Sequence, residues 1–122
     1  MVTCFLRKDD KLLLMKRGEE VGSYQGKWSA VSGYVETDRI LDQALIEIEQ
    51  ETGLKSKLVN QGDKVLVRYE NKIWEVNPFL FEVEGKVDLN WENVEFKWIN
   101  PESIKKMDTV PKLWQAYQNV SG

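Results

Sequence analysis

The chain has 122 residues, 42% hydrophobic and 30% charged, with a net charge of −3, one cysteine and no histidine. That length predicts one domain, residues 1–122, large enough for a real core. The acidic balance argues against capture of a long nucleic acid, the single Cys4 permits no internal disulfide, and no apolar run reaches membrane-spanning length. No signal-peptide segment is evident, and a lone thiol fits a reducing compartment, so the expected location is cytoplasmic. Without histidine, site chemistry falls to carboxylates, Lys, Tyr or water. Cys4 reads as a buried strand residue, because no imidazole can activate it.

Val2 to Arg7 and Lys11 to Arg17 are strand-like, and Lys8-Asp9-Asp10 supplies the turn of a hairpin. The apolar run Leu12 to Met15 predicts a strand covered on both faces. Arg17 is read in two ways, as a solvated strand-end cation or as a fork of donors for a diphosphate. Residues 19–27 are polar and glycine-punctuated, so they read as a loop. Lys27 reads as an exposed lysine, with a phosphate contact as the alternative, and Trp28 reads as core. A short strand then enters a loop centred on Gly33.

A helix is expected from about Arg39 to Thr52, with Thr37 or Asp38 as N-cap and Gly53 ending it. Leu41, Ala44, Leu45 and Ile48 recur at the spacing of a buried stripe. Glu47 and Glu51 stand four residues apart, and Gln50 lies three beyond Glu47, so all three project from roughly one face. Crowded carboxylates repel unless a cation sits between them. The plain alternative is the acidic surface of an acidic protein. With the glycine loop ahead and Gly53 behind, metal binding is the stronger reading, since Mg²⁺ takes one or two carboxylates plus phosphate oxygens and water. Gln50 can add only a neutral carbonyl oxygen.

Strands follow at 55–60 and 64–70, then a long one over 73–84 with Pro78 at a bulge or edge. Tyr69 and Trp74 are either core or aromatic faces over a ligand cleft. Glu92 and Glu95 stand in an acidic loop that leads into another strand. Asn100-Pro101 opens a short helix. A last helix from about Pro111 to Asn119 carries Leu113, Trp114 and Tyr117 on an apolar stripe. This order predicts an α/β (α+β) domain, a mixed sheet with helices on both faces.

The stretch from Ser32 to Leu54 resembles the Nudix box, G-x5-E-x7-R-E-U-x-E-E-x-G-U, where U is a bulky aliphatic. Glu47, Ile48, Glu51, Gly53 and Leu54 match its helical half. Ile46 stands where the family has Arg, a residue that helps orient the box carboxylates there. Gln50 replaces the first of the paired Glu residues. If Gly33 is the box glycine the loop is one residue short, and Asp38 best matches the first Glu. The segment Glu92-x-x-Glu95-Phe96-x-Trp98-Ile99 resembles a family loop that brings a further Glu to the metal or the attacking water, with Glu92 the first candidate and Glu95 the second. In the family a basic residue also often stands where Arg17 does.

The resemblance implies a Nudix-type α/β/α sandwich. It implies hydrolysis of a nucleoside diphosphate linked to another moiety, with Mg²⁺ (or Mn²⁺) as cofactor. The implied catalytic residues are Glu47, Glu51 and Glu92, and the metal ligands are Glu47, Glu51 and Gln50. The implied substrate contacts are Arg17, Lys27, Gly33, Tyr69 and Trp74. The expected partner is a small nucleotide-like diphosphate, with no long nucleic acid and no membrane. The oligomeric state is left open, a homodimer included. Ile46 and Gln50 motivate the alternative, a catalytically weak or inactive Nudix-fold domain that binds a nucleotide or a protein. A third reading is a plain structural α/β domain.

Overall fold

Two tight turns set the register of the sheet. The computed structural model, which describes residues 1–35 and 38–121, has Asp9 and Asp10 at φ 51 and 62. They join β1 (Val2–Lys8) to β2 (Lys11–Arg17). Glu70 and Asn71, at φ 50 and 63, do the same between β6 (Val65–Tyr69) and β7 (Lys72–Glu84). Paired left-handed residues match the right-handed twist of the flanking strands, and Asp and Asn tolerate that conformation best among side-chain-bearing residues.

Between these hairpins run β3 (Trp28–Ser29), β4 (Val31–Gly33), α1 (Ile40–Thr52) and β5 (Lys55–Gln61). After them come β8 (Asn93–Ile99), a 3₁₀ turn (Pro101–Lys106) and α2 (Leu113–Ser121). The strands form a mixed sheet in the order β3-β2-β1-β7-β5, with β4 on β1, β6 on β7 and β8 on β2. Only the β1–β7 pairing is parallel among the strand pairs of the described residues. Among the described residues no helix is long and apolar enough to cross a membrane.

Strand alternation splits the core into two layers. Val2, Cys4, Leu6, Leu13, Met15, Phe79 and Phe81 face α1, where Ala44 and Ile48 close the layer. Phe5, Leu12, Leu14 and Leu80 face the other way, against Ile104, Leu113, Ala116 and Val120. The run Leu12 to Met15 is buried throughout because both sheet faces are covered.

Three local expectations are corrected. The buried side of α1 is Gln43, Ala44, Ile48, Glu51 and Thr52, whereas Leu41 and Leu45 are exposed, Leu45 at 41%. The helix is rotated so that carboxylates, not leucines, meet the sheet. The N-cap is Arg39, whose carbonyl accepts the Gln43 N–H at 3.0 Å. Asp38 precedes it and is exposed, and Thr37 lies outside the described residues. Pro78 is neither at an edge nor exposed: it sits in β7 paired with Thr3. There β7 passes from its β6 partners (72–76) to its β5 partners (79–84). A missing N–H in that gap breaks no ladder bond, and its carbonyl still accepts from Gly62 at 3.0 Å.

Ile48→Ala is expected to cost ~2–5 kcal/mol by opening a cavity under α1, while Leu45→Ala should stay within about 0.5 kcal/mol. Paired urea melts check this, and equal losses would show that Leu45 is packed after all.

Candidate active site

The acidic site grows from the packing of α1 on β4. Gly33 ends β4, and a Cβ there would overlap the Glu47 carboxyl. Glycine is needed here for space, since its φ is unremarkable. Glu47 is half-buried and accepts a hydrogen bond from Gln43 Nε2 on Oε1 at 2.9 Å. One turn on, Glu51 is only 3% exposed. Its Oε1 accepts from Asn93 Nδ2 at 3.3 Å, and its Oε2 is buried with no partner among the described residues. Gly53 ends the helix at φ 70, and its N–H bonds to the Glu49 carbonyl at 3.0 Å.

Burial pushes the Glu51 carboxyl up from its ordinary 4.5 to about 9. The neighbouring charges of Glu92 and Glu47 push the same way, as does hydrogen bonding of the protonated carboxyl to Glu47, and the Asn93 amide opposes them weakly. At neutral pH without a counter-ion Glu51 therefore holds its proton. The Cys4 thiol, fully buried beside this group, is raised by burial and then by Glu51 and Glu47. It is inert as a nucleophile at neutral pH.

A cavity of ≈ 260 Å³ opens beside Glu47 and Glu92, while the buried Glu51 is not among its lining residues. The lining includes Glu47, Gln50, Glu92 and Arg17, with Gly33 and Ser32. Tyr24, Tyr34, Tyr69 and Trp74 contribute aromatic rings to it, and Val65, Val76, Leu113 and Ala116 apolar side chains. The rings of Tyr24 and Tyr69 lie 4.6 Å apart, those of Tyr34 and Trp74 5.4 Å. Tyr24 has φ 49 and a buried hydroxyl without a partner among the described residues. Backbone strain and an unsatisfied hydroxyl in one residue mark a group shaped for a ligand.

Arg17 reaches the cavity with part of its fork already engaged. Nε donates to the Ser23 carbonyl at 3.0 Å, and Nη2 meets Ser23 Oγ at 3.5 Å. Glu92 is held by Asn90: its backbone N–H donates to Asn90 Oδ1 at 3.1 Å, and its Oε1 accepts from Asn90 Nδ2 at 3.3 Å. Lys27 is not among the cavity-lining residues; it donates to Asp108 at 2.6 Å. Glu95 pairs with Lys16 across β8 and β2, is exposed, and does not line the cavity. Asp38 is exposed and also lies outside it.

Among the described residues no three acid, cysteine or histidine side chains form a ready-made metal cluster. Charge coupling among Glu47, Glu51 and Glu92 reaches farther than chelation does. Magnesium asks for less, one or two carboxylates with phosphate oxygens and water. The orphaned Glu51 oxygen beside Glu47 fits that demand. Hard oxygen donors with no histidine suit Mg²⁺ or Mn²⁺ rather than zinc.

Gln43, Asn93 and Tyr34 join the site without having been singled out as site residues in the sequence. Gln43 stands four residues before Glu47, a spacing that could have flagged it. Asn93 lies 42 residues from Glu51, and no local pattern links them.

A mixed sheet between helical layers, with a glutamate-bearing helix packed on a glycine-ended strand, defines a class of small α+β sandwich domains. A family model, the NUDIX domain, matches residues 1–120, and the chain belongs to that family. Among solved structures it is similar to a MutT protein from Methanosarcina mazei Go1 at 26% identity and TM-score 0.78, over 96% of this chain and 88% of that one. The E. coli ORF135 protein matches at 22% identity and TM-score 0.73, over 96% and 86%. A C. elegans Ap4A hydrolase binary complex matches at 15% identity and TM-score 0.75, over 97% and 90%. The last two show likeness of fold alone. No curated protein matches the chain. Family and structural relatives together support a hydrolase.

A carboxyl whose pKa is raised on folding contributes most below its unfolded value, and that contribution is lost as pH climbs toward the folded one. Metal-free protein should therefore lose melting temperature from pH 5 to 9 relative to Glu51→Gln, which keeps an acceptor for Asn93. Thermal melts in EDTA across that range read the difference, and parallel curves would place Glu51 in water. Gly33→Ala should melt near the parent, because the displaced group is a flexible side-chain end. Its turnover should drop by roughly 100-fold as Glu47 moves; unchanged turnover would detach Glu47 from the site.

Proposed function

We propose that this chain, a single Nudix-type domain, is a Mg²⁺- or Mn²⁺-dependent pyrophosphohydrolase. Its substrates are nucleoside diphosphates linked to another moiety. The observation that carries the reading is the buried Glu51 oxygen, without a hydrogen-bond partner among the described residues, one helical turn from Glu47, which itself lines a cavity with aromatic side chains. One of the structural relatives, at 15% identity, is an Ap4A hydrolase.

Glu47 and Glu51 would hold the ion, with Gln50 offering a neutral oxygen at the cavity edge. When bound, the ion supplies positive charge to the diphosphate and acidifies nearby water. Its arrival also favours ionised Glu51, so affinity rises with pH. Glu92 is the proposed proton acceptor, through Oε2, because Oε1 is engaged by Asn90. The Arg17 N–H groups not committed to Ser23 face the phosphates. Tyr69 and Trp74, with Tyr24 and Tyr34, give flat faces for a base. Val65, Val76, Leu113 and Ala116 add apolar surface against which a base can pack. Products would be a nucleoside monophosphate and a second phosphorylated group or pyrophosphate. Lys27, committed to Asp108, takes no part in this reading.

Gln50 favours the second reading, a weakened or non-catalytic binder, because it replaces a charge at the cavity edge. One experiment separates them. The protein is incubated with nucleoside triphosphates, nucleotide sugars and dinucleoside polyphosphates with Mg²⁺ or Mn²⁺. Phosphate is assayed after pyrophosphatase or phosphatase treatment. Turnover of at least one compound, abolished by EDTA, is expected. Turnover that survives chelation would refute the metal mechanism, and saturable binding without turnover would favour the binder.

A further inference from the structure

Two amides are buried where the core has no use for them. Gln43 is 6% exposed on α1, and Asn93 is 7% exposed at the start of β8. Burying an amide costs free energy unless its hydrogen bonds are made. Each donates to one of the two α1 carboxylates, Gln43 to Glu47 at 2.9 Å and Asn93 to Glu51 at 3.3 Å. Each bond engages Oε1 alone. On Glu51 the other oxygen is buried and finds no partner among the described residues. Ile46, the neighbour that could have carried a donor, is an exposed aliphatic.

We infer that Gln43 and Asn93 are positioning residues. Each pins one oxygen of its glutamate and so aims the other toward a divalent cation. The chemistry favours amides. A hydrogen bond to one carboxylate oxygen stops rotation about the last side-chain torsion. A neutral donor does this without the repulsion that a Lys or Arg charge would exert on the incoming ion. The two amides also come from different directions. Gln43 braces Glu47 from one turn back on the same helix, and Asn93 reaches Glu51 from the sheet. The pair of ligands is thereby fixed relative to β8 as well as α1.

The inference rests on the metal-dependent function proposed above, and the test keeps the two separable. Gln43→Met and Asn93→Leu remove the donors at nearly constant volume. Mn²⁺ alone is the probe, titrated into substrate-free protein and followed by the electron paramagnetic resonance signal of free Mn²⁺. Melting temperature is read alongside. Each folded variant is expected to bind Mn²⁺ about tenfold or more weakly. Its apparent KM for Mn²⁺ should rise, while kcat at saturating Mn²⁺ is largely recovered. A purely structural role would lower the melting temperature and leave the Mn²⁺ affinity of the folded fraction alone. Parent-like Mn²⁺ affinity in a folded variant would overturn the inference. If Asn93→Leu fails to fold, Gln43→Met decides alone, Met being a good helix former. A parent protein that binds no Mn²⁺ would instead bring down the proposed function, and this inference with it.

Discussion

The Glu51 carboxyl is the constraint to which the rest of the structure answers. It lies in a space nearly closed to water, with a long hydrogen bond from the Asn93 amide on one oxygen and no hydrogen-bond partner for the other among the described residues. An ionised carboxylate in such a place costs several kcal/mol unless an opposite charge joins it. Glu47 and Glu92 make matters worse by adding charge of the same sign. The group is therefore held protonated, or it is held ionised by a cation. A protein gains nothing in stability from this arrangement. Strained and unsatisfied groups of this kind collect where a ligand completes them.

The sheet accommodates that constraint by dividing labour between its faces. The layer under α1 supplies the acids: Ile48 and Ala44 anchor the helix, and Gly33 lets Glu47 lie flat on β4. The opposite layer supplies shape, because α2 and the β6–β7 hairpin present valines, Leu113 and Ala116 to the cavity. The cavity draws its lining from both layers, with Ser32 and Thr3 among its residues. β7 spans both regions only because Pro78 falls in the break between its two partner strands. Arg17, at the end of β2, ties the loop bearing Tyr24 to the acidic side through Ser23.

Membership of the NUDIX family supports a hydrolase, and the box departures give this chain its own character. An exposed Ile46 and a neutral Gln50 lower the charge density around the site. Neutral amides from Gln43 and Asn93 brace the carboxylates that remain. Such a site depends more on geometry than on charge. Local displacement of a glutamate should matter more to it than changes in surface electrostatics.

The elements were legible in the residues. Hairpin turns, the doubly covered strand at Leu12 to Met15, the acidic helix and its terminal Gly53 all follow from local periodicity and turn chemistry. The spacing of Glu47 and Glu51 was enough to suggest a shared helix face and a metal. Which face of that helix is buried was misread, because Leu41 and Leu45 have the right spacing and greater hydrophobicity. Only the packing of α1 on β4 and β1 decided that Glu51 would go inside and the leucines out. The same holds for Lys27, which distant Asp108 captures, and for Asn93, which no nearby residue connects to Glu51. Periodicity reports what one element prefers by itself. Burial, pairing and the pKa of a carboxyl depend on residues as far as 42 and 81 positions away that folding brings within a few ångströms.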